Sequence, residues 1–134
     1  MKKLPTLWLS GSIPSKKNSK RIAKRGGKRG GKSILLSSIN YLEWEKLAIL
    51  EIKCAWEHKR IISCNSITYD FVFVDNRKRD LSNTVEGVND ALVRAGVLLD
   101  DDWKLTGSVI LNPIGVDKNN CGVKITFNVR EYEI

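Results

Sequence analysis

The clearest period in the chain lies near its end. Cys121, Val123, Ile125, Phe127 and Val129 alternate there with Gly122, Lys124, Thr126, Asn128 and Arg130. An apolar residue at every second position is the mark of a strand with one buried face. Ile67, Tyr69, Phe71 and Phe73 alternate with Thr68, Asp70, Val72 and Val74. The bulk on both sides predicts a strand buried on both faces. Leu4 to Ile13 alternates more loosely and predicts a strand that ends at Pro14. Lys104 to Leu111 predicts another, stopped by Pro113.

Two segments carry the helical period instead. Tyr41, Trp44, Ala48, Ile52 and Ala55 recur at spacings of three and four, after a capping-box pattern at Asn40–Glu43, and predict a helix to about Glu57. A second helix is expected from about Ser82 to Ala95, stopped by Gly96. Thr84, Val85, Val88, Ala91, Leu92 and Ala95 fall on one arc of it, and Asn83, Glu86 and Asp90 on the opposite arc. The order β-α-β-α-β-β predicts a single α+β domain with a mixed sheet and helices packed on one face.

Composition narrows the class. A length of 134 residues is room for one domain, and 42% hydrophobic with 28% charged residues argues against global disorder. No apolar run approaches the ~20 residues of a membrane span. Met1-Lys2-Lys3 is basic, but Pro5 and Ser10-Gly11-Ser12 break the apolar stretch behind it. That is a poor signal peptide, and the expectation is a cytoplasmic protein. Cys54, Cys64 and Cys121 show no metal-binding spacing and are expected reduced and mostly buried. With one histidine, His58, zinc and Ser-His or Cys-His chemistry find no support. Any metal must then be a hard cation held by carboxylates. Trp44 and Trp56 are expected in the core or an interface, Trp8 along the sheet, and Trp103 packed beside the acidic run that precedes it, with a wedge against nucleic acid as the alternative.

Charge adds a partner. Lys plus Arg is 23 against 15 Asp plus Glu, a net of +8. Eleven of those basic residues lie in residues 1–32, which hold no acidic residue, while residues 33–134 carry a net of −3. A basic, glycine-rich arm on a near-neutral body points to a polyanion. It is expected to be a mobile loop over about 15–33, in which Lys16, Lys17, Lys20, Arg21, Lys24 and Arg25 meet phosphates. Six such contacts would give log K against log salt a slope of about −5.

Acidic residues gather where the chain turns. Asp75 and Asp80 flank the run Arg77-Lys78-Arg79, and Asp100-Asp101-Asp102 comes after the second helix. Three consecutive carboxylates repel one another unless water or a cation intervenes. A solvated turn explains an isolated run of this kind. This one stands in a longer pattern: Asp75 to Asn83, then Asn89-Asp90-Ala91-Leu92, then Ala95-Gly96-Val97-Leu98-Leu99-Asp100-Asp101, with Ile13-Pro14-Ser15-Lys16-Lys17-Asn18-Ser19-Lys20-Arg21 upstream. Together these resemble the signature of the RusA-type Holliday junction resolvases: a basic run, D-L-D-N, a helix with D-A-L, and A-G-(apolar)-x-x-D-D.

The resemblance implies a homodimeric, Mg²⁺-dependent endonuclease (Mn²⁺ as a substitute) that resolves four-way DNA junctions by paired symmetric nicks. It places the family's essential carboxylates on Asp80 and Asp101, with Asp100 beside them. Two departures matter. The second acid of D-L-D-N is Ser82 here, and the family's lysine four positions on is Glu86. Residues four apart share a helix face, so Glu86 is expected to replace the lost ligand, giving a metal set of Asp80, Glu86, Asp100 and Asp101. Lys78 is the candidate for countering negative charge on the reacting phosphate, with Arg77 and Arg79 on DNA beside it. Helix length adds a constraint. A helix from Ser82 to Ala95 spans about 20 Å and separates Asp80 from Asp101, so antiparallel helices in a dimer are expected to build composite sites. The alternative is a non-catalytic protein that binds branched DNA or RNA on the same fold.

Overall fold

The computed structural model describes residues 3–14 and 31–134, and of residues 31–39 the backbone alone. The elements are β1 (Thr6–Ser10), α1 (Gly31–Ala55), β2 (Ile61–Phe73), α2 (Leu81–Arg94), a single turn α3 (Trp103–Thr106), β3 (Ser108–Val116) and β4 (Gly122–Tyr132). They build one mixed four-stranded sheet in the order β1-β4-β2-β3. β4 pairs antiparallel with both β1 and β2, and β3 lies parallel to β2 after the α2 crossover. This is the α+β domain expected from the sequence, with α3 added.

One face of the sheet is buried. Leu7 and Leu9 of β1, Ile67, Tyr69 and Phe71 of β2, and Val123, Ile125 and Phe127 of β4 pack in one cluster with Ala48 and Ile52 of α1 and Val85, Val88, Ala91 and Leu92 of α2. Full burial of a side chain such as Phe127 contributes about 2–3 kcal/mol. The other face is open, and Thr68, Asp70 and Val72 on it are half-buried. β2 is therefore not buried on both faces: among the described residues, its second row has no layer above it. Asp70 instead accepts a hydrogen bond from Asn112 Nδ2 of β3 at 2.9 Å.

The helices meet at a close crossing. Gly87 of α2 sits against Tyr41 and Trp44 of α1, where a Cβ would lie 3.0 Å from Tyr41 Oη. Beside it the buried Glu45 of α1 accepts from Arg94 Nη1 of α2, and Tyr41 Oη donates to Glu45 Oε2 at 3.4 Å. Burial, and then the Glu45 charge, push the Tyr41 phenol well above its usual range. At the far side Glu51 of α1 accepts from both Ser10 N and Ser10 Oγ, which ties the helix to the end of β1.

Several expected boundaries shift. β1 is shorter than Leu4–Ile13. α1 begins at Gly31, so Asn40–Glu43 is helix interior rather than a cap, and the helix stops at Ala55 rather than Glu57. Of the expected basic loop, residues 31–33 are helical and residues 15–30 lie outside the described residues. β2 starts at Ile61, where three register shifts in its pairing with β4 break the period of two. Residues Trp103–Thr106 are a helical turn capped by Asp102, and β3 continues past Pro113. Proline is tolerated there because β3 is, among the described residues, an edge strand with one side unpaired. Cys64 is buried and its thiol is pushed up to about 11 by burial, whereas Cys54 is exposed. Among the described residues no helix is long and apolar enough to cross a membrane.

Candidate functional site

The site is built from the two ends of the α2 crossover. Where β2 ends, the chain passes through Asp75–Arg79. Asp75 Oδ1 accepts from Arg77 N at 3.0 Å and from Arg79 Nη2 at 2.6 Å, and Arg79 Nη1 donates to the carbonyls of Asp75 and Arg77. The Arg79 guanidinium also lies 4.9 Å from the centre of the Phe73 ring. These contacts hold the Asp75 carboxyl below its usual range, the Arg77 amide first and Arg79 second. Arg79, expected on DNA, is held here as a clasp on the loop, its side chain 19% exposed. Lys78 and Arg77 remain exposed at the surface.

Asp80 comes next, as the N-cap of α2. Its Oδ1 accepts from Ser82 N at 3.0 Å, Ser82 Oγ at 2.6 Å and Asn83 N at 3.4 Å. A cap of this kind stabilises a helix by about 1 kcal/mol. The serine that departs from the D-L-D-N pattern therefore donates to the first acid, which an ionised aspartate could not do.

At the other end α2 stops at Arg94 with Ala95 as its cap, and Gly96, with φ +84°, turns the chain out of the helix. Val97 to Leu99 then pairs with the start of β2, through Ile61 N to Val97 O at 2.7 Å and Leu99 N to Ile61 O at 3.0 Å. This anchors the triple aspartate, whose members differ. Asp102 caps α3 by accepting from Lys104 N and Leu105 N. Asp100 Oδ1 accepts from Asp101 N at 2.8 Å. The Asp101 carboxyl is raised above its ordinary range, by partial desolvation first and then by the charges of Asp100 and Asp90.

Asp90, Asp100 and Asp101 therefore share one neighbourhood. Glu86 is exposed one turn before Asp90, on the side of α2 that also carries Asn83. Asp80 is not among them, because ten residues of helix put it about 15 Å from Asp90 along the axis. Among the described residues, no three His, Cys, Asp or Glu side chains of one chain come close enough to hold a metal ion. Lys16, Lys17, Lys20, Arg21, Lys24 and Arg25 lie outside the described residues. Trp103 is 76% exposed, with the Lys104 ammonium 5.9 Å from its ring centre, so it does not pack over the acids.

One contact is not anticipated by the sequence pattern. Tyr69 Oη of β2 donates to Asn89 Oδ1 of α2. The available signal was a tyrosine in a buried strand, whose hydroxyl needs a partner. Burial, Cys64 and Asp101 all push the Tyr69 phenol upward, so it stays a neutral donor.

The raised Asp101 carboxyl has a consequence for stability. Ionising Asp101 costs more in the folded chain than in the unfolded one. The folded state is favoured while the group is protonated, and that advantage is lost as pH rises above the usual aspartate range. Asp101→Asn is therefore expected to stabilise the protein slightly at pH 7, by less than about 1 kcal/mol because the site is solvated. The gain should vanish near pH 3, and urea unfolding at the two pH values checks it.

Compared with protein-family models, the chain matches none. Compared with curated proteins, it also has no match.

Proposed function

We propose that the protein is a metal-dependent endodeoxyribonuclease that cuts four-way DNA junctions by paired nicks, acting as a homodimer. The observation that supports this best is that the end of the α2 crossover sets Asp100 and Asp101 side by side, with the Asp100 and Asp90 charges raising the Asp101 carboxyl. Carboxylates packed this way repel one another, and a divalent cation relieves the repulsion. The donor set suits Mg²⁺, or Mn²⁺ in its place: all ligands are hard oxygens, and Mg²⁺ takes few carboxylates, keeping waters and substrate phosphate oxygens for its other positions. Asp100 and Asp101 of one copy would hold it, with Asp80 and Glu86 supplied by a second copy. A cation so held acidifies a bound water and acts as a Lewis acid on a phosphodiester.

The chain's own groups do the rest. Lys78 and Arg77 offer exposed positive charge to a phosphate near the start of α2, held in place by the Arg79 clasp. The basic arm neutralises phosphates where duplex arms converge. Two copies related by a twofold axis present two sites to a substrate with twofold symmetry. The tests are cleavage and binding of a synthetic four-way junction by Glu86→Gln. Cleavage should be lost and binding kept, and full retained cleavage sinks the role given to Glu86.

A second reading, a branched-DNA or RNA binding protein without cleavage, is favoured by one observation. Asp80 Oδ1 accepts three hydrogen bonds as a helix cap, which ties that oxygen to a structural task. Tight junction binding with no nicks in Mg²⁺ would establish it.

A further inference from the structure

Among the described residues β3 is the outer strand of the sheet, and its free edge is unusually bare. From Leu105 to Val116 the chain has no Lys, Arg, Asp or Glu. Val109 and Ile110 are each 43% exposed, and Ile114 is 61% exposed. Natural edge strands are blunted by charge, proline, bulges or shortness, because a bare edge recruits another strand. The opposite edge shows such blunting: β1 has five residues, comes directly after Pro5, and spends the Ser10 N–H on Glu51. In β3 only the second half is protected. Pro113 and the register shift between Phe71 and Val72 interrupt it there. Ser108–Asn112 has neither device.

That open stretch has a symmetry of its own. Ser108-Val109-Ile110-Leu111-Asn112 is polar, apolar, apolar, apolar, polar, and it has the same pattern read backwards. An antiparallel partner of the same sequence would meet it like for like. Ile110 would face Ile110, and Val109 would face Leu111. Val109 and Leu111 are aligned with Ile67 and Tyr69 on the core side of the sheet, and Leu111 already packs against the core. Their pairing would extend the apolar layer from one copy into the next. Charge does not oppose this occupant: residues 33–134, which carry the strand, have a net of only −3, and the strand itself holds no charged residue to repel its own copy.

We propose that two copies of the chain join through Ser108–Asn112, paired antiparallel about a twofold axis at Ile110, into one eight-stranded sheet. α2 runs opposite to β2 and so to β3. The two α2 helices then lie antiparallel on one face of the joined sheet, the arrangement a composite site asks for. Only that last link rests on the nuclease reading; the pairing stands whether or not the protein cuts DNA.

The test reads association, not cleavage. In a Cys54→Ser, Cys121→Ser chain, single cysteines are placed at Ser108, Ile110 and Asn112 and oxidised mildly. Directly opposed residues in an antiparallel pair have Cα atoms within disulfide reach. Ile110→Cys should give the covalent dimer at least about fivefold more efficiently than the flanking positions, which face unlike partners. Sedimentation of the unmodified chain should show a dimer, and Ile110→Lys should weaken it by about tenfold or more, since it opposes two ammonium groups. Circular dichroism and the melting temperature of Ile110→Lys show whether the fold is kept. A folded wild-type monomer overturns the proposal and leaves the edge to an unlike chain. A dimer indifferent to Ile110→Lys, or equal cross-linking at all three positions, also overturns it.

Discussion

Asp101→Asn is expected to lower the rate of metal-dependent junction nicking by roughly 10³-fold, about 4 kcal/mol of lost transition-state stabilisation, while junction binding stays within about twofold. The reason is local. Asp102 is used as the cap of α3, and Asp100 Oδ1 accepts the Asp101 amide. Asp101 is the member of the triple whose carboxyl is crowded by its neighbours' charge, and so the one that gains most from a cation. Asparagine keeps its shape and removes the charge. Mixing Asp101→Asn with Asp80→Asn chains extends the prediction. If each site takes Asp80 from one copy and Asp101 from the other, the mixed dimer regains one intact site and nicking returns. Sites within one chain would give no rescue. Gel quantification of nicked strands from single mutants and from the mixture reads both outcomes.

The largest expected loss of stability is at Gly107, which joins α3 to β3. Its φ is +66° and ψ is −140°, a conformation that L side chains rarely adopt. A Cβ there would lie 2.3 Å from Asn65 O and 2.7 Å from Cys64 O, both backbone atoms that cannot swing away. Gly107→Ala is expected to cost about 3–5 kcal/mol, part backbone strain and part overpacking. Gly115→Ala, where a Cβ would meet nothing within 4 Å, is the control and should change stability by less than about 0.5 kcal/mol. Urea midpoints of the two variants check this. A destabilised Gly107→Ala chain that still folds should also lose the placement of Asp100–Asp102, since this turn carries the acidic segment onto β2.

The sequence was most legible where one physical rule acted alone. β4 alternates cleanly because one face is core and the other is open, and it was readable within a residue or two. The apolar arc of α2 was readable for the same reason, since Thr84, Val85, Val88, Ala91 and Leu92 are all buried. Where two rules competed, pattern misled. Pro113 stops a central strand but not an edge strand, and a sequence does not say which strand is the edge. Ile61–Ser66 lost its period to register shifts that only the partner strand β4 reveals. Val72 and Val74 looked like a second buried face, yet apolar residues on an uncovered sheet carry the same letters.

The acids were partly legible. Clustering near the ends of α2 could be read from spacing, and so could the separation of Asp80 from Asp101 by one helix length. Spacing could not tell a cap from a ligand. Asp80 and Asp102 both accept amide hydrogen bonds at helix starts, a task that local backbone geometry assigns. Arg79 likewise looked like one of three equivalent cations until the Phe73 ring and the Asp75 carboxylate turned it inward.

The most direct measurement is a synthetic four-way junction with each strand end-labelled in turn, incubated with the full chain in Mg²⁺ and in EDTA. A composite, cation-dependent site predicts nicks on two opposing strands at symmetry-related positions in Mg²⁺, none in EDTA, and binding in both. Firm binding with intact strands in Mg²⁺ and in Mn²⁺ would contradict it.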